Sequence, residues 1–107
     1  GKGKRMYPHV SVGYANDDGE AGKLLKGYLT QGYRYFEEND GIGEDVDRLV
    51  VLLDDRYFYD ETGYLRSEDR SVRRLFHRLN QAKEELAFVV KENEPVYAVL
   101  LGLLQAI

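Results

Sequence analysis

The stretch Ser67 to Lys91, SEDRSVRRLFHRLNQAKEELAFVVK, decides how the rest of the chain is read. Val72, Leu75, Phe76, Leu79, Ala82, Leu86, Val89 and Val90 recur at three- and four-residue steps, the spacing of one apolar stripe on an α-helix. Ser67 suits an N-cap, and Glu68 and Asp69 complement the helix dipole in the first turn. The spacing predicts one helix over 68–91, with Leu75, Phe76, Leu79 and Leu86 in the core. The opposite face of such a helix gathers Arg70, Arg74 and His77, flanked by Arg73 and Arg78. Phe88 falls on that polar face, opposite Val72 and Val90.

Upstream, Tyr57 to Leu65 places two aromatic-rich arms around a turn ending in Gly63, a hairpin pattern over 57–66. Before it, Val46, Leu49, Val50, Leu53 and Tyr57 fit a helical face, so 45–57 is read as a helix with Glu44 and Asp45 at its start. The segment LVVLL within it also fits a buried strand. Residues 20–38 carry a third helical stripe, ended by Asn39 to Gly43. Gly32 lies within that stripe and Gly22 and Gly27 lie off it. Val10, Val12 and Tyr14 alternate with Ser11 and Gly13, the mark of a strand over 7–15. Pro8 suits its edge. Downstream, Pro95 opens a nearly continuous apolar helix over 95–106.

The expectation is a single domain, 1–107, with residues 1–5 flexible: a mostly α, α-rich α+β fold. Four helices accompany a small sheet built from 7–15 and the 57–66 hairpin. The alternative is α+β with 48–53 and 96–104 as strands.

Composition narrows function mainly by exclusion. The 107 residues contain no cysteine, which removes disulfides, cysteine metal sites and thiol nucleophiles and fits a cytoplasmic location. No apolar run is long enough to span a bilayer, so no membrane partner is expected. The formal charge of −4 is unevenly spread. From Glu37 to Asp69 there are twelve acids and three arginines, whereas 70–78 is positive.

No catalytic, metal or cofactor signature emerges. Gly19-Glu20-Ala21-Gly22-Lys23 follows a strand and opens a helix. Its glycines are too close for a phosphate loop, Leu24 stands where Ser or Thr is needed, and Asp17, Asp18 and Glu20 repel phosphate. The acidic loops lack the alternating ligands of a calcium loop. His9 and His77 have no partner at metal spacing. Nothing resembles a nucleophile elbow. The chain is read as a non-enzyme.

Two function classes remain. The first is a small interaction or regulatory protein acting through protein contacts and self-association, a homodimer, with Phe88, Tyr97, Leu101 and Leu104 at the interface. Nine tyrosines and the wide apolar surface of the last helix favour it. The second is a nucleic-acid-binding regulator that lays Arg70, Arg73, Arg74, His77 and Arg78 along phosphates. Like charges at i,i+4 cost about 0.2–0.5 kcal/mol per pair, so such a ladder asks for an anionic partner. The acidic segment could itself be that partner, which ranks the first class ahead.

Overall fold

A computed structural model describes residues 7–37 and 43–105. Residues 1–5, expected to be flexible, and most of the Asn39–Gly43 helix stop lie outside the described residues. The strands and helices run β1 (His9–Ala15), α1 (Asp18–Thr30), β2 (Arg34–Tyr35), β3 (Val46–Leu53), β4 (Tyr57–Tyr59), β5 (Leu65–Ser67), α2 (Arg73–Leu79), β6 (Ala82–Lys91) and α3 (Glu94–Gln105). The fold is α/β. Four parallel strands in the order β1-β6-β3-β2 form the central sheet, and β4 and β5 pair separately as an antiparallel hairpin.

This overturns the mostly α reading at its decisive stretch. The expected helix over 68–91 is a seven-residue helix followed by a ten-residue strand. Asn80 closes α2, its side-chain amide donating to the Phe76 carbonyl at 3.1 Å. From Leu86 to Val90 every residue is apolar and buried, as in a parallel strand covered on both faces. An unbroken apolar run satisfies a helical period and a strand period alike. The same ambiguity misled the 45–57 reading: LVVLL lies in β3, next to β6. Segment 48–53 is thus a strand and 96–104 a helix, which divides the alternative reading as well. The N-terminal strand pairs with β6, not with the hairpin.

The helix expected over 20–38 ends at Thr30. Gly32, with φ +92°, takes a backbone conformation that ends a helix after Gln31. Its place in an apolar stripe was therefore incidental. Nothing in the structure explains Gly22 or Gly27, which face open space.

Strand alternation divides the core in two. On one face α1 packs Ala21, Leu24, Leu25 and Tyr28 against Ala15, Val50, Ala87 and Val89. On the other, Leu49, Val51, Leu53, Leu86, Phe88 and Val90 meet Leu75 of α2, Val96 of α3 and the hairpin residues Tyr57 and Leu65. The three layers bury both sides of the sheet. Of the four core positions named above, Leu75 and Leu86 are buried, Leu79 is half-buried and Phe76 is 44% exposed. Among the described residues no helix is long and apolar enough to cross a membrane.

Candidate functional site: an arginine cleft between the hairpin and α2

The site begins with the hairpin turn. Asp60 Oδ1 accepts hydrogen bonds from the Thr62 amide (2.9 Å), the Thr62 hydroxyl (2.6 Å) and the Tyr64 amide (3.0 Å). Gly63, at φ +86°, supplies the left-handed residue that the turn requires. The other carboxylate oxygen accepts from Arg66 Nε at 2.8 Å. The Thr62 hydroxyl, then Arg66 and the Tyr64 amide, hold Asp60 well below the usual carboxylate range. One carboxylate thus shapes the turn and fixes an arginine.

Cross-strand pairing sets the outward face of the hairpin. Phe58 stands opposite Arg66, and both are exposed, while Tyr57 and Leu65 turn into the core. The Arg66 guanidinium lies 5.9 Å from the centre of the Tyr64 ring, within cation–π range.

After β5 the chain turns toward α2. Arg56 binds Asp54 at 2.6 Å and reaches Asp69 at 3.6 Å, and Arg70 lies 3.5 Å from the same Asp69. The Ser71 hydroxyl accepts from the Arg73 amide at 3.2 Å. Arg66, Ser67, Arg70, Ser71, Arg73 and Phe76 consequently line one open cleft of about 550 Å³. The Ser67 hydroxyl is inaccessible and has no hydrogen-bond partner among the described residues. Chemically, guanidinium forks beside the Ser71 hydroxyl suit a polyoxygen anion.

The expected arginine ladder does not form, because α2 starts at Arg73 and leaves Arg70 in the preceding turn. Arg70 and Arg73 come together in the cleft. Arg74 and His77 are exposed on α2. Arg78 is only 4% exposed. Its Nη1 donates to the Gln81 side chain (2.7 Å) and the Glu44 carbonyl (3.1 Å), and the Gln81 amide donates to the Gly43 carbonyl. Arg78 therefore joins the end of α2 to the entry of β3.

The sequence reading missed Arg66, Ser67, Ser71 and Phe76 as site residues. For Arg66 the signal was present: two-residue alternation in YFY and LRS puts Phe58 and Arg66 on one hairpin face.

A second cleft of about 320 Å³ opens at the carboxyl ends of β2 and β3, lined by Tyr35, Phe36, Asp54, Arg56, Tyr57 and Arg70 among others. Burial raises the Tyr35 phenol, helped by Glu37 and Asp54 and opposed by Arg70. Burial alone would raise Asp54, but hydrogen bonds and charge from Arg56 leave it below its ordinary value. Charges in this cleft largely answer one another.

The proposed interface residues scatter. Phe88 is buried in the sheet, so it is not available to a partner. Tyr97 is half-buried, its ring centre 5.1 Å from that of Tyr14. Leu101 and Leu104 are half-buried, while Val99 and Leu103 are the exposed apolar residues of α3. Among the described residues no group of three or more side chains could hold a metal ion. No protein-family model, curated protein or solved structure matches this chain.

Proposed function

We propose that this chain is a small non-enzymatic binding protein, and that its recognition surface is the Arg66–Arg70–Arg73 cleft, engaging a partner that carries phosphate groups. The observation that carries this reading is the convergence of three arginines and the exposed Ser71 on one open space. Two of these arginines have acidic neighbours, Arg66 at Asp60 and Arg70 at Asp69. Each pair keeps one partner exposed, Arg66 in the first and Asp69 in the second, and a bidentate phosphate can compete for these arginines. Asp69 also serves Arg56, which dilutes its hold on Arg70. The cysteine-free composition fits a cytoplasmic setting.

The test is a titration of the isotope-labelled protein with inorganic tripolyphosphate at low salt, followed by amide chemical shifts. Shifts centred on residues 64–76 and abolished in Arg73→Glu are expected. Their absence, or a response elsewhere on the molecule, overturns the reading.

Self-association is retained as a second reading on narrower ground. Val99 and Leu103, one helical turn apart on α3, are 40% and 58% exposed. Light scattering at micromolar concentration tests it: a dimer mass that Leu103→Lys converts to a monomer supports it, and a monomeric parent protein removes it.

A further inference from the structure

We infer that the occupant of the arginine cleft is a short stretch of single-stranded nucleic acid, its bases stacked on Phe58, Tyr64 and Phe76. This rests on the phosphate-binding reading above and adds the rings to it. Four aromatic side chains are highly exposed among the described residues: Tyr7, Phe58, Tyr64 and Phe76. Three of them lie beside Arg66 or line the cleft it shares. Phe58 is its cross-strand neighbour, Tyr64 lies beneath its guanidinium, and Phe76 lines the same cleft. Lone exposed apolar residues need no explanation. One ring lining a cationic cleft, with two more beside an arginine of its wall, is a different matter. Such a surface offers several planar faces beside several phosphate sites, matching a chain that alternates bases with phosphates.

A duplex fits poorly. Its bases are already stacked inside, and the seven-residue α2 is only about 10 Å long, too short to run along a groove. The exposed acids Glu61, Glu68 and Asp69 flank the arginines and repel a long run of phosphates, so the footprint is short. A phosphorylated peptide would satisfy the arginines but leave most of the ring surface unused.

Fluorescence anisotropy at low salt separates these cases with three probes: a labelled mixed-sequence single strand, the same strand annealed to its complement, and a labelled phosphopeptide. The single strand is expected to bind tightest. Phe76→Leu, which keeps apolar bulk, and Tyr64→Ala should each weaken it about fivefold or more. Arg73→Glu should abolish it, and circular dichroism verifies folding of each variant. Equal or tighter duplex binding, preference for the phosphopeptide, or indifference to both ring variants overturns the single-strand inference while a tripolyphosphate response preserves the anion site. No response to any probe, tripolyphosphate included, overturns both.

Discussion

Phe88 of β6 lies in register with Val51 of β3, and both side chains are buried on the sheet face covered by α2 and α3. Val12 of β1 flanks Phe88 from the other side. The ring therefore sits in the middle of three adjacent strands, and truncation there opens a cavity that the two neighbours cannot close. Phe88→Ala is expected to cost about 3–5 kcal/mol in urea unfolding. A change below about 0.5 kcal/mol, as at an exposed position, would contradict the strand placement.

Glycines within the first helix and just after it give predictions of opposite sign. At Gly32 the backbone φ of +92° suits glycine, while a new Cβ would meet the Arg48 side chain at an ordinary 3.6 Å. Strain is thus the whole penalty, and Gly32→Ala should destabilise by about 1–2 kcal/mol. Gly22 and Gly27 lie inside α1 with nothing within 4 Å of an added Cβ. Gly22→Ala and Gly27→Ala should each stabilise by about 0.5–1 kcal/mol. Thermal melts of the three variants decide the signs.

These residues also show how far the sequence could be read. The N-terminal strand, the hairpin and the C-terminal helix stand where local alternation, turn glycine and proline put them. Those signals are short-range and survive folding. Val50 and Ala87 pack on one sheet face and Val51 and Phe88 on the other. A strand covered twice has no polar face, so its apolar run carries no period to read. Arg70 and Arg73 could be singled out by charge alone. Their grouping with Arg66 depended on the chain turning between β5 and α2, which no spacing rule encodes. A helical period places Phe88 on a polar face, whereas the two-residue period of β6 turns it into the core.

Asp60 makes hairpin order depend on pH in a defined direction. Its folded-state pKa is lowered by the hydrogen bonds from Thr62, Arg66 and Tyr64. A depressed carboxyl contributes stability above its unfolded pKa of about 3.9 and loses it as pH falls toward the folded value. Protection of the Tyr64 amide, its exchange relative to an unfolded chain at the same pH, should therefore fall below about pH 4. In Asp60→Asn that protection should be lower at neutral pH and change less with acidification. Identical pH profiles for the two proteins would refute the assignment.

Asn93 connects three elements through one side chain. Its amide donates to the Asp54 carbonyl at 2.8 Å and the Tyr57 carbonyl at 2.7 Å, while its oxygen accepts the Val96 amide at 3.3 Å to cap α3. The residue is buried, so Asn93→Ala removes a hydrogen bond from the Tyr57 carbonyl, from the Val96 amide and from the Asp54 carbonyl, which keeps only the Tyr57 amide. A loss of about 2–4 kcal/mol is expected. Aspartate, a good cap by type, is no rescue at neutral pH, because its carboxylate would face both carbonyl oxygens. Urea unfolding in which Asn93→Asp matches the parent protein would show that capping is the residue's only role.

Arg73 and Arg78, five positions apart in one basic run, should behave as different kinds of residue. Arg78 is buried and holds the Gln81 side chain and the Glu44 carbonyl at the foot of β3. Its Nε has no hydrogen-bond partner among the described residues, so the arrangement is satisfied only in part and depends on the contacts it does make. Arg78→Ala should destabilise by about 2–4 kcal/mol, since the buried Gln81 oxygen and the Glu44 carbonyl lose their donor and the long side chain leaves a gap. Arg73 is exposed at the start of α2, where its backbone amide donates to the Ser71 hydroxyl. Arg73→Ala should change stability by less than about 0.5 kcal/mol. If binding of tripolyphosphate is lost in Arg73→Ala and kept in Arg78→Ala under conditions where the latter is still folded, recognition belongs to the cleft and Arg78 to the scaffold. The reverse pattern would mean that the buried guanidinium, not the exposed one, organises the site.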